Sequence, residues 1–190
     1  TALTLQDAGI EKPRDILMTL PMSGVDRQLR GSVRDIVAPA VATVTVTVGA
    51  HYPPATRGRP YRVHVTDEQM EFQLVFFHAR AEYLQKVLPT GQKRIVSGKV
   101  EIFDSIAQMV HPDHIVVPDE VMTFPAFEPV YPLHSGITQK LMWKATRSAL
   151  EKSPEVSEWI DAELVKREGW PNWFEAFTRA HTPETMQDLS

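Results

Sequence analysis

Ala42-Thr-Val-Thr-Val-Thr-Val48, Tyr61-Arg-Val-His-Val-Thr66 and Glu71-Phe-Gln-Leu-Val-Phe-Phe77 are the stretches on which the fold turns. In the first, Val44, Val46 and Val48 fall on one face and Thr43, Thr45 and Thr47 on the other, the period of two that marks a half-buried strand. The second separates Tyr61, Val63 and Val65 from Arg62, His64 and Thr66. In the third, Phe72, Leu74 and Phe76 share the core face, while Glu71, Gln73, Val75 and Phe77 share the opposite one. Phe76 is therefore expected inside and Phe77 at the rim of the polar face, where an aromatic can act as a stacking platform. An aromatic there is also at home packed beneath a following helix, because strands select aromatics for packing alone.

Working outward, Arg80 to Leu88 has helical composition and ends at Pro89-Thr-Gly91, which leads into a further strand over Lys93 to Phe103. Asp104-Ser105 reads as a tight turn into two short strands, Ile106 to Val110 and Ile115 to Val117. Strand, basic loop, strand, turn, strand, short helix, strand is the plan of a small barrel of the kind that binds nucleic acid. The 12-residue connection from Gly49 to Pro60 is long for a hairpin. No acidic residue occurs between Asp35 and Asp67, whereas Arg57, Arg59 and Arg62 lie there beside His51, Tyr52 and Tyr61. Such a segment can follow a phosphate backbone; it can equally be a solvated loop.

Composition bounds the rest. The 190 residues are 43% hydrophobic and 23% charged, ordinary for a globular chain. There is no run of 18 apolar residues and no basic-then-apolar start, so neither a membrane span nor a signal peptide is expected. The absence of Cys excludes disulfides and fits a cytoplasmic protein. The net charge of −4 is uneven: residues 151–190 hold nine acids and four bases, leaving 15 acids and 16 bases in residues 1–150. The acidity thus belongs to the C-terminal helices and does not bar an anionic partner from the barrel.

The expected organisation is an N-terminal helical lead-in and connector over 1–40, the barrel over 41–117, a Pro-rich strap over 118–134, helices over 135–181 and a linker over 182–190. The helices are expected from Ser135-Gly136 to about Lys152, from Pro154 to about Arg167 and from Pro171 to Ala180. Catalysis within the chain is not expected. Gly91 and Gly98-Lys99 lack the spacing of a phosphate-cradling loop, and no nucleophile elbow is present. His111-Pro-Asp-His114 gathers potential metal ligands, but Pro112 disfavours the helix that would align them, and no metal is expected. A metal-dependent hydrolase built on these histidines and a protein-binding module are the rival readings.

Several segments together resemble the N-terminal wedge domain of the RecG family of ATP-dependent DNA helicases. Asp15-Ile-Leu-Met-Thr-Leu-Pro21 is similar to its D-L-L-x-x-L-P run, followed here by Val25-Asp26-Arg27. Val65-Thr-Asp67 with Leu74-Val-Phe-Phe-His78 resembles L-x-D-G…L-x-F-F-N, with Glu68 for Gly and His78 for Asn. Met109-Val-His-Pro-Asp-His114 is similar to M-x-H-P-E-Y, and Pro129-Val-Tyr-Pro-Leu-His-Ser-Gly-Ile-Thr-Gln-Lys140 to P-V-Y-P-x-T-E-G-L-x-Q-K. The resemblance implies a mainly β chain with helical flanks: an OB-fold, the five-stranded Greek-key barrel, followed by a small helical segment. It implies a branched-DNA-binding wedge that splits duplex arms at forks and Holliday-type junctions. It places Phe77 against a base at the junction and Tyr83, at the sixth position after it where the family has the fourth, as the second stacking aromatic. Arg57, Arg59, Arg62 and Arg80 are the expected backbone contacts. Motor domains beyond Ser190 would supply ATP and Mg2+ chemistry, with no cofactor in this chain. Expected partners are branched DNA, the chain's own motor domains and a single-stranded-DNA-binding protein, in the bacterial cytoplasm at the nucleoid.

Overall fold

Residues 6, 9–56, 58–123, 125–133, 136–153 and 160–189 are described in the computed structural model of the chain. A short helix, α1 (Pro13–Met18), precedes two short strands, β1 (Ser23–Asp26) and β2 (Leu29–Arg30), and the long β3 (Ala40–Tyr52). Next come β4 (Tyr61–Thr66), β5 (Glu71–Phe76), helix α2 (Ala81–Val87), β6 (Lys93–Phe103), β7 (Ile106–Val110) and β8 (His114–Val116). The chain continues through β9 (Phe127–Val130) and helices α3 (Gln139–Glu151), α4 (Ala162–Glu168) and α5 (Trp173–His181). It divides into two compact units, one continuous over Asp26–Ala126 and one assembled from residues 1–25 and 127–190. This grouping differs from a linear division at 40, 117 and 134. Part of the proline-rich strap is a strand, β9, that pairs with β1, whereas Arg27 and β2 pack on the barrel.

In the first unit, β3 pairs antiparallel with both β4 and β6, β4 with β5, and β6 with β7; the parallel pairing of β5 with β7 closes the ring. A parallel neighbour requires a crossover, which α2 and β6 supply. The result is the five-stranded OB-fold barrel, with β2 and β8 added outside on β3 and β6. Closure leaves the five strands without a free edge. The alternation works as its chemistry requires: Val44, Val46, Val48, Val63, Val65, Phe72, Leu74 and Phe76 form the core with Val96, Val100 and Met109. Leu84 of α2 and Leu88 just after it enter the same cluster, so the helix covers one end of the barrel.

Two residues of the expected polar faces are buried. Thr43 is covered because β2 runs alongside it and the buried Arg27 reaches over: Arg27 Nη1 donates to Ser97 Oγ at 2.8 Å, and Ser97 Oγ meets Thr43 Oγ1 at 2.7 Å. Arg27 Nη2 also bonds Asp113 at 3.0 Å. Val75, flanked by Arg62 and Val110, is buried outside the main core. The turn after β4 is organised by Asp67. Its carboxylate accepts from the Gln69, Met70 and Val33 N–H groups and from the Ser32 hydroxyl. Burial pushes this carboxyl up, but those donors together hold it below its ordinary value.

The second unit pairs β1 with β9, and Met22 N–H donates to Val130 O at 2.9 Å. Gly24 leaves room there for the Phe127 ring, which a Cβ would run into. Tyr131 and Gln139 clamp each other: Tyr131 N–H donates to Gln139 Oε1 and Gln139 Nε2 donates to Tyr131 O. The buried His181 joins α5 to α1, its Nε2–H donating to Leu17 O at 2.8 Å while Nδ1 accepts from the Tyr131 hydroxyl at 3.1 Å. Burial draws its pKa down, against the pull of the Leu17 carbonyl. Helix α3 starts at Gln139, later than its expected opening at 135–136, because Thr138 is the cap and accepts from Leu141 N–H. The expected start of the following helix at Pro154 lies outside the described residues. The segment after His181 carries a 3-10 turn over Met186–Leu189, where Asp188 accepts from Glu184 and Thr185.

Candidate nucleic-acid interface

Phe76 and Phe77 part company at the end of β5. Phe76 sits across from Tyr61 and is 7% exposed, whereas Phe77 is 43% exposed. The chain turns there, with His78 in the left-handed region at φ 58°. What holds Phe77 is His111, immediately after β7. Its N–H donates to Val75 O at 2.9 Å, and its Nε2 accepts from Phe77 N–H at 3.1 Å. The imidazole lies 5.9 Å from the Phe77 ring, tilted by 33°, and edge-on to Phe76 at 6.0 Å. The exposed ring therefore sits on a backbone fixed from a neighbouring strand.

Phe77 lines a shallow pocket of about 210 Å3 with Arg59, Pro54, Tyr61, Phe76 and His78. Arg59 is exposed at its edge, so a cation and an aromatic face meet at one site. Arg62 is half-buried on β4, directly across from Tyr52 on one side and Val75 on the other. Arg80 is exposed at the start of α2, its side chain making no capping bond. Arg57 lies outside the described residues. Tyr83 is 62% exposed on α2, with its neighbour Leu84 turned into the core, and is not among the residues lining the Phe77 pocket. Among the described residues, no three His, Asp or Glu side chains gather closely enough to hold a metal ion, and no helix is long and apolar enough to cross a membrane.

The long connection after β3 is shorter than its sequence suggests, because β3 runs on to Tyr52 past an irregularity. Val48 pairs with Val65 and His51 with Val63, so Gly49 and Ala50 together face His64: a β-bulge. Gly49 suits it, as a Cβ there would come 3.0 Å from His64 O. Beyond the bulge His51 bridges inward, its Nε2–H donating to Leu88 O at 2.7 Å and its Nδ1 accepting from the Tyr61 hydroxyl at 3.0 Å. Tyr52 turns out and is 49% exposed, its ring 4.6 Å from that of His64. Tyr52 and His111 are the two site residues that strand alternation did not single out. A glycine inside a strand pattern was the signal for the first; nothing local in the sequence signals the second, because its bond to Phe77 spans 34 positions.

No family model matches the chain, and no curated protein matches its sequence. Among solved structures, RecG bound to a three-way DNA junction matches with a TM-score of 0.76 at 21% identity, covering 98% of this chain and 26% of that one. A replication protein A heterotrimer bound to ssDNA matches 44% of this chain and 63% of that one, at 16% identity and a TM-score of 0.33. The second OB-fold domain of replication protein A from Methanococcus maripaludis covers 48% of this chain and 96% of its own, at 14% identity and a TM-score of 0.34. The chain spans about a quarter of the RecG chain that it matches. In fold, then, it is like the matched quarter of that RecG chain, an OB-fold barrel with its helical flank, over nearly the whole of its own length.

Proposed function

We propose that this chain is the branched-DNA-binding wedge of a RecG-like helicase, and that Phe77 stacks on a base at the branch point while the barrel parts the duplex arms. The observation that carries the reading is the fixing of an exposed Phe77 by His111 beside the Arg59 cation. Base-aromatic stacking is worth roughly 1–3 kcal/mol per base, similar to the cost of unstacking one base step, so an aromatic at the branch can hold an opened pair without chemistry of its own. Arg59, Arg62 and Arg80, with Arg57, supply phosphate contacts that do not read sequence. Tyr83, standing out from α2, is the second stacking aromatic in this reading. ATP hydrolysis belongs to motor domains of a longer protein, which with forks and Holliday-type junctions are the partners.

Fluorescence anisotropy at low salt tests it, with a labelled three-way fork against a matched duplex and with Phe77→Ala beside the parent chain. The parent should prefer the fork, and the variant should lose that preference, by about thirtyfold for a stack of middling strength. Equal affinity of the parent for fork and duplex would sink the reading. A second reading, a protein-docking module or scaffold for the motor, is favoured by Ile102, Phe103 and Ile106, which stand exposed at the tip of the β6–β7 hairpin.

A further inference from the structure

The bulge in β3 changes which side chains face outward. Before it, even-numbered residues Val44, Val46 and Val48 point into the core and odd-numbered threonines point out. Simple alternation would therefore send Tyr52 inward. With Gly49 and Ala50 both opposite His64, the parity flips: His51 bridges to Tyr61 and Leu88 at the barrel rim, and Tyr52 emerges on the outer face. Re-aiming a side chain is a recurring use of such bulges.

Tyr52 is also held in place. Its ring leans on His64 at 4.6 Å with 46° between the planes, and the Gln73 side-chain amide donates to His64 Nε2 at 3.1 Å. A ring backed in this way loses little freedom when a ligand covers it. Arg62 is its direct cross-strand neighbour, and Val75 is next in the same row. Phe77 lies two residues beyond Val75, just past the end of β5, and is exposed. Two interstrand steps of about 4.8 Å and two residues of about 3.3 Å separate Tyr52 from Phe77, roughly 12 Å between Cα atoms. An exposed aromatic thus stands at each end of this path, with the half-buried guanidinium of Arg62 beside Tyr52.

We infer that Tyr52 is a second stacking platform on this path, taking an unpaired base of single-stranded DNA, with Arg62 on the intervening phosphate. The inference rests on the DNA-binding reading and adds to it a path for the separated strand. A duplex cannot use the platform, because its bases are already stacked; every unpaired base can, because each has a π-face.

The test compares two labelled forks, one with all arms duplex and one with an unpaired thymidine arm, in anisotropy titrations of the full chain and three variants. Tyr52→Leu should weaken binding to the fork with the unpaired arm about tenfold and leave the all-duplex fork within about twofold, while Tyr52→Phe binds both as the parent does. Phe77→Ala should weaken both forks. Parental binding of Tyr52→Leu to the unpaired arm overturns the inference, as does equal weakening on both forks, which would mark a change in the barrel itself. If Phe77→Ala changes nothing while Tyr52→Leu still loses the unpaired arm, the junction-stacking role of Phe77 fails and the Tyr52 platform stands.

Discussion

Phe77 and His111 are a pair only in three dimensions. The alternation of β5 separates Phe76 from Phe77, and that much was legible in residues 71–77. What keeps Phe77 at its station is the Nε2 acceptor of His111, and removing it leaves the Phe77 N–H without that partner. His111→Ala and His111→Phe should therefore speed hydrogen exchange of the Phe77 amide, read by NMR, whereas His111→Gln, which carries an acceptor at a similar reach, should keep most of the protection. Unchanged exchange in all three would show that the bond does not hold the backbone. Other residues picked out by family resemblance have structural work of the same kind. Asp67 organises a turn, Arg27 meets Asp113, and Tyr131 meets Gln139.

At the scale of elements, the strands were readable because alternation and burial are the same fact seen twice. The departures came where tertiary pairing overrode the local pattern. The strand β3 continues through its bulge into what reads as loop, and β9 forms within a proline-rich stretch because β1 lies beside it. The α3 start shifts to Gln139 because the Thr138 side chain caps the helix, accepting from Leu141 N–H. The β1–β9 ladder depends on the bare backbone of Gly24. Gly24→Ala puts a methyl into the Phe127 ring, so one of them must move, at about 1–3 kcal/mol. Denaturant unfolding of the variant should show that loss; stability equal to the parent's would mean that the ring swings away freely.

Over the whole molecule, charge is divided. Residues 1–150 are nearly balanced, with 15 acids and 16 bases, and the acidity collects in residues 151–190. Binding through the four arginines Arg57, Arg59, Arg62 and Arg80 should give a log–log slope of affinity against salt of about −3.6, by the counterion release of about four phosphates. Arg59→Ala should make that slope shallower by about one, measured by fork anisotropy over a salt series. A slope near zero would indicate a contact surface other than these arginines.

The continuous barrel unit begins at Asp26 and ends at Ala126, and Arg27 N–H donates to Ala126 O at 2.7 Å. Its way in and its way out are thus a single hydrogen bond apart, and the flanking β1 and β9 zip together just outside them. A module mounted like this is a cassette. Its two ends are already held side by side by its own backbone, so a short tether between them should be enough to close it.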